Sequence, residues 1–233
     1  MLAEQLLKKF KGERGKSGGR KARVSLKSNI TRRATRFSIV KNIESKFVDS
    51  GQVVGECSTT GSITLINVIP QGTTVNNRIG KKLLLKNVQT HGFFYPGTTA
   101  IVNNMGAYLV LDKQSNGGAL PAITDILTSI NTNDFSNDAK KPRYKILRRW
   151  DCVISGGTGA IAAPSGFNEA PTANINDFCK MNFVMEFNTS AATGVQATIE
   201  KGALYMITVG SSATGTGSGS FQYYTRTRFT EDF

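Results

Sequence analysis

The sequence predicts an all-β fold, an antiparallel sandwich or barrel with a disordered basic arm ahead of it. Three observations predict it. From residue 47 onward, short runs alternate apolar and polar side chains at period two. Gly, Pro, Asn and Ser separate these runs, and the 233-residue chain holds 24 Gly and only 6 Pro. The positive charge is gathered at one end: residues 1–46 carry fourteen Lys/Arg against Glu4, Glu13 and Glu44, a net of +11, whereas the other 187 residues net +2.

In the arm, few large apolar residues lie between Lys11 and Arg36, and Gly12, Gly15, Gly18 and Gly19 add backbone entropy. Such a segment buries too little surface to offset the cost of ordering and is expected to be disordered when free. A solvated face interleaves both signs; this one does not, so a polyanion is expected as its partner. The bases assigned to nucleic-acid binding are Lys8, Lys9, Lys11, Arg14, Lys16, Arg20, Lys21, Arg23, Lys27, Arg32, Arg33 and Arg36. They neutralise phosphates without reading sequence, which suits packaging rather than site recognition. Lys8-Lys9, a ten-residue spacer and Arg20-Lys21-Ala22-Arg23 also match a bipartite nuclear import signal, a pattern that basic clusters meet easily by chance. Leu2, Leu6, Leu7 and Phe10 could form a short apolar helical stripe for an acidic membrane surface, but it covers barely two turns.

The body, 47–233, is expected to be one domain of eight strands: Ser62–Ile69, Lys81–Tyr95, Met105–Asp112, Tyr144–Ile154, Phe178–Phe187, Ala197–Ile199, Ala203–Gly210 and Phe221–Phe229. The inward sets are Met105, Ala107, Leu109 and Leu111; then Ile146, Trp150, Cys152 and Ile154; then Cys179, Met181, Phe183, Met185 and Phe187; and last Phe221, Tyr223 and Phe229. One short helix, Ala122–Ser129, falls inside a long connection at 113–143. A second long connection spans 155–177, and both are read as inter-subunit surface. Ser211–Ser220 reads as a flexible exposed loop.

No constellation for catalysis is found, and the chain is not expected to be an enzyme. His91 is the single histidine, within a predicted strand, and no nucleophile elbow, P-loop or dinucleotide fingerprint is present. No cofactor or metal is expected. Cys57, Cys152 and Cys179 are isolated and odd in number, as expected of free thiols. No apolar run nears the roughly 18 residues that cross a bilayer, and the N-terminus lacks a secretory h-region.

Several segments together resemble the capsid proteins of small circular Rep-encoding single-stranded DNA viruses, the subset with a satellite tobacco necrosis virus-like shell. They are Pro70-Gln71-Gly72-Thr73-Thr74 with Asn77-Arg78-Ile79-Gly80-Lys81-Lys82; Leu109 to Gly117 followed by Pro121 and Asp125-Ile126-Leu127; Arg143 to Leu147; Gly202 to Tyr205; and Tyr224 to Phe229. The resemblance implies an eight-stranded jelly roll that assembles as a small icosahedral shell of about sixty copies. It further implies arms facing a packaged single-stranded genome, a location in the virion and the host nucleus, and a possible host nuclear import receptor as partner. It does not separate DNA from RNA. Sixty arms would bring on the order of 660 positive charges to the genome. A cellular β-sandwich that binds nucleic acid through its tail is the alternative, and a secreted lectin-like sandwich is opposed by the unpaired cysteines.

Overall fold

The computed structural model describes residues 45–97, 102–132, 135–154, 173–188, 193–215 and 217–231. The expectations for the arm before residue 45, and for most of the 155–177 connection, lie outside these residues. The described chain forms ten strands: β1 (Lys46–Asp49), β2 (Val53–Cys57), β3 (Ser62–Leu65), β4 (Lys82–Tyr95), β5 (Asn103–Asp112), β6 (Tyr144–Ile154), β7 (Ala173–Phe187), β8 (Ile199–Lys201), β9 (Ala203–Gly210) and β10 (Gly219–Thr230). One sheet runs β1-β10-β4-β7-β8, with β2 also on β10; the other runs β3-β9-β5-β6, and every strand pairing between them is antiparallel.

β1 and β2 pair with successive halves of β10 and act as one interrupted strand, Lys46 to Cys57. With β8 as an edge addition, eight principal strands remain, four to a sheet. Consecutive principal strands change sheets at each step except β5 to β6. That is the jelly roll.

Between the sheets lie Leu83, Leu85, Val88 and Phe94 of β4, Met185 and Phe187 of β7, and Phe221, Tyr223 and Phe229 of β10, against Met105, Ala107 and Leu109 of β5. Phe94 stacks on Phe221 with centroids 4.4 Å apart, and Phe221 on Tyr223 at 5.2 Å. Trp150 reaches across from the second sheet, 6.3 Å from Phe221, and its indole N–H donates to Asp177 at 3.2 Å.

Five expectations need correction. The interrupted first strand, Lys46–Cys57, escapes the alternation pattern because Asp49-Ser50-Gly51-Gln52 breaks it in half. The run Ala197–Ile199 is instead a 3-10 turn, Gln196–Thr198, feeding β8. The helix shrinks to α1 (Ile123–Ile126), because Leu127 already bridges to Ser136. The 211–220 stretch is shorter and better anchored than a free loop: β10 begins at Gly219, and the Glu56 carboxylate accepts from the Ser218 hydroxyl (2.6 Å) and the Gly215 N–H (2.9 Å). Finally, Ile146 does not share a face with Trp150. A bulge at Leu147 pairs Val110 with Ile146 but Ala107 with Trp150, so Ile146 falls on the sheet's other side.

That other side is covered. Every residue of β5 from Met105 to Asp112 is buried, as is all of β9, because the 113–143 excursion closes over the second sheet. Ile123, Ile126 and Leu127 are buried there, and the Tyr108 hydroxyl donates to the Thr132 carbonyl at 2.8 Å. The excursion leaves through a turn at Asn116 and Gly117 (φ 55° and 61°), whose N–H groups donate to Glu200 and Ile199. It is tied at its base by Asp112. This fully buried carboxylate accepts from Arg143 Nε (3.0 Å) and Nη2 (2.9 Å), the Gln114 N–H (2.9 Å) and the Tyr205 hydroxyl (3.3 Å).

Candidate nucleic-acid interface

The face of the six-stranded sheet that points away from the core is exposed among the described residues, and the strand registers define it. Directly paired residues share a face, so one row across the sheet reads Phe47, Arg228, Asn87 and Lys180. The next is Asp49, Arg226, Gln89 and Phe178. Beyond it come Tyr224, His91 and Asn176, then Val54, Gln222, Phe93 and Asn174. β4 carries an extra residue at Lys86, where its inward series passes from Leu83 and Leu85 to Val88, Thr90 and Phe94. Without that bulge, Gln89 and His91 would point into the core.

The face combines cations, amides and exposed rings. Phe178 is 47% exposed and Tyr224 46%, unusual for side chains of that size. Phe93 and Tyr95 sit side by side with centroids 5.8 Å apart. Arg226 is held by Asp49 through two hydrogen bonds of 2.8 Å and lies over the Phe47 ring at 4.6 Å. The Arg226 hydrogen bond pulls the Asp49 carboxyl below its ordinary range, with desolvation opposing. Lys180 and Arg228 make no ion pair among the described residues, so their charge is available to an external anion. His91, exposed within β4, shares a hydrogen bond with the Gln89 amide at 2.8 Å.

Rings whose faces are open to solvent, set among Arg, Lys and amide side chains, are the elements of a sequence-tolerant platform for single-stranded nucleic acid. On platforms of that kind bases stack on the rings while cations meet the phosphates.

The twelve arm bases assigned to nucleic-acid binding lie outside the described residues. Of the fourteen cations counted in 1–46, only Lys46 is described. It is the first residue of β1 and 6% exposed, paired with Glu231 at 2.9 Å and donating to the Asn77 carbonyl at 3.2 Å. Glu231 also accepts from the Ile79 N–H. The neighbouring Arg78 is buried, its guanidinium 3.9 Å from the Phe187 ring centre and donating to the Gly80 carbonyl. Arg78 also knits its own loop, donating its N–H to Pro70 and accepting from Gly72. Sequence reasoning missed the outward platform because its members come from five strands, β1, β2, β4, β7 and β10, spread along the chain.

The three cysteines are free thiols. Burial pushes the Cys57 thiol far above its ordinary value and Cys152 up to about 11, so neither is a ready nucleophile. No group of three or more His, Cys, Asp or Glu among the described residues could hold a metal ion, and no described helix is long and apolar enough to cross a membrane.

The jelly roll is a class of fold found in viral capsid and lectin domains. The sequence profile of the Geminivirus coat protein/nuclear export factor BR1 family matches residues 5–232, and the chain belongs to that family. No curated protein matches it. Similar solved structures include Desmodium yellow mottle tymovirus, at 7% identity over 82% of this chain and 91% of the other, with a TM-score of 0.31. The infectious bursal disease virus Gx strain matches at 11% identity and a TM-score of 0.26, over 82% of this chain; the chain spans about a third (33%) of that protein.

Proposed function

We propose that the chain assembles into a small icosahedral shell of about sixty copies and packages a single-stranded genome, DNA, through its basic segment. One observation carries this reading: in a coat-family chain, residues 1–46 net +11 while the rest nets +2. Charge segregated in that way couples assembly to neutralisation of a polyanion. The twelve bases from Lys8 to Arg36 are the principal phosphate contacts, and the Tyr224–Phe178 platform is a second, stacking contact. Lys8, Lys9, Arg20, Lys21 and Arg23 serve nuclear entry through a host import receptor, and assembly takes place in the nucleus.

The test is deletion of residues 1–36. The expected product is a folded body whose particles carry little nucleic acid, read from the ultraviolet absorbance ratio across a sedimentation profile. Unchanged nucleic-acid content would refute the assignment. The family description also includes a nuclear export factor, and the basic cluster suits that role too. A carrier of nucleic acid that does not form shells would sediment as a small species.

A further inference from the structure

His91 is the only histidine of the chain, and it stands on β4, the middle strand of the larger sheet's path, with its side chain on the outward face. Tyr224 of β10 flanks it on one side and Asn176 of β7 on the other, and all three side chains are exposed. Along β4, Gln89 precedes it on the same face and Phe93 follows. The row through Gln89 ends in Phe178, and the row through Phe93 carries Gln222 and Asn174. Among the side-chain types on this face, imidazole is the one whose charge ordinarily changes between about pH 5 and 8.

The Gln89 contact fixes where the neutral ring holds its proton. The Gln89 amide nitrogen lies 2.8 Å from His91 Nε2, and an amide nitrogen only donates. Nε2 therefore accepts, and the proton sits on Nδ1. In this state the pair offers one donor, Nδ1–H, and one acceptor, the Gln89 amide oxygen. Protonation makes both ring nitrogens donors, so Gln89 has to turn its amide and give its oxygen to Nε2. One proton thus changes a mixed donor and acceptor pair into a cation with donors only, which is what a phosphate oxygen accepts.

The charged and titratable groups around His91 offer it no carboxylate. β10 brings Tyr224 opposite and Arg226 in the next row, with Arg228 two rows off. β7 brings Asn174, Asn176 and Phe178, with Lys180 two rows off. β1 brings Asp49, whose carboxylate is taken by Arg226 in two hydrogen bonds of 2.8 Å. Asp177 of β7 points inward, to Trp150 and Arg148. A proton on His91 therefore meets cations and amides among the described residues, and an arriving phosphate is the group that stabilises it.

We propose that His91 is a phosphate contact of the platform that acts only when protonated, so that the platform holds single-stranded nucleic acid more tightly as pH falls from about 7.5 to 5.5. This rests on the platform reading above and adds proton linkage to it. Phosphate stabilises the charged ring, so binding takes up a proton and, reciprocally, acidification tightens binding. Lys and Arg keep their charge throughout this range, so the basic segment gives no such dependence. An exposed contact of this kind corresponds to about a fivefold change in affinity.

The test uses the full chain with a short oligothymidine as probe. Deuterium exchange at the imidazole C2 carbon, read by mass spectrometry across a pH series, reports the protonation of the chain's single histidine in free and assembled protein alike. The midpoint of that profile should rise by about 0.7 pH unit when oligothymidine is present, which matches a fivefold change in affinity. Phe178→Ala combined with Tyr224→Ala should abolish the rise, because the strand is then no longer stacked beside the ring. In a fluorescence titration at fixed salt, the unaltered chain should bind about fivefold more tightly at pH 5.5 than at 7.5, and His91→Gln should lose that change. An unmoved midpoint would overturn the proposal, as would a rise that survives loss of both rings, which would trace it to nucleic acid held elsewhere. Ring variants that bind oligothymidine as well as the unaltered chain would remove the platform itself and the proposal with it. Ring variants that bind weakly beside an unmoved His91 midpoint would keep the platform and remove His91 alone.

Discussion

Replacing Arg143 by Ala tests how the covering of the second sheet is secured. Asp112 is wholly buried and takes two of its four hydrogen bonds from the Arg143 guanidinium. Arg143→Ala leaves that carboxylate with the Gln114 N–H and the Tyr205 hydroxyl but no cation. Breaking a buried pair by removing one partner costs about 3–5 kcal/mol. Arg143 itself is 35% exposed, so water reaches the vacated space and the lower end applies, about 3 kcal/mol. A domain of this size has a total stability of about 5–15 kcal/mol, and its melting point should fall by about 6–12 °C. The measurement is urea unfolding of unassembled protein, with Asp112→Asn and the double variant completing a cycle. The double variant should cost clearly less than the sum of the singles. A loss below about 1 kcal/mol for Arg143→Ala, or strict additivity, would refute the buried-pair account.

Three other outcomes are expected. Phe183 packs on the core but is only partly buried, so Phe183→Ala should cost about 2–3 kcal/mol, less than a fully buried ring; Lys180→Ala on the outer face should stay within about 0.5 kcal/mol by thermal melting. Reversal of that order would put β7 one residue out of register. Tyr224→Ala with Phe178→Ala should leave folding intact and weaken binding of a short oligothymidine by about 1–3 kcal/mol per ring, read by fluorescence titration at fixed salt; unchanged affinity would remove the platform from the binding surface. The Asp49, Glu56 and Glu186 carboxyls are held below their ordinary values of 3.8, 4.5 and 4.5, chiefly by hydrogen bonds from Arg226, Ser218 and Lys201. Groups depressed in the folded state lend stability that is present above the unfolded values and lost as pH falls through the folded ones. The urea midpoint should therefore decline below about pH 4.5, and a midpoint that rises on acidification would contradict this.

How much of this was legible in the sequence depended on what covers each face. β7 reads cleanly because one side meets the core and the other meets solvent: Cys179, Met181, Met185 and Phe187 are buried, while Lys180 and Asn182 are exposed. β5 and β9 do not read that way, since the excursion buries their second side too and Tyr108, Val110 and Ile207 are as deep as Leu109. Ile146 was misplaced because the bulge at Leu147 inverts the alternation, and nothing in the residue types announces it. The interrupted first strand hid behind Lys46, Asp49 and Glu56, whose charges are satisfied by Glu231, Arg226 and Ser218, from distant parts of the chain.

As proposed above, this coat-family jelly roll builds a shell around nucleic acid that its N-terminal bases hold. Sedimentation of the purified full chain, with electron microscopy of the fastest fraction and its nucleic-acid content, tests that most directly. Closed particles of about sixty copies carrying single-stranded DNA are expected, with the DNA lost when residues 1–36 are removed. A chain that stays monomeric or dimeric under conditions where it binds DNA, or shells whose DNA content survives that deletion, would contradict it.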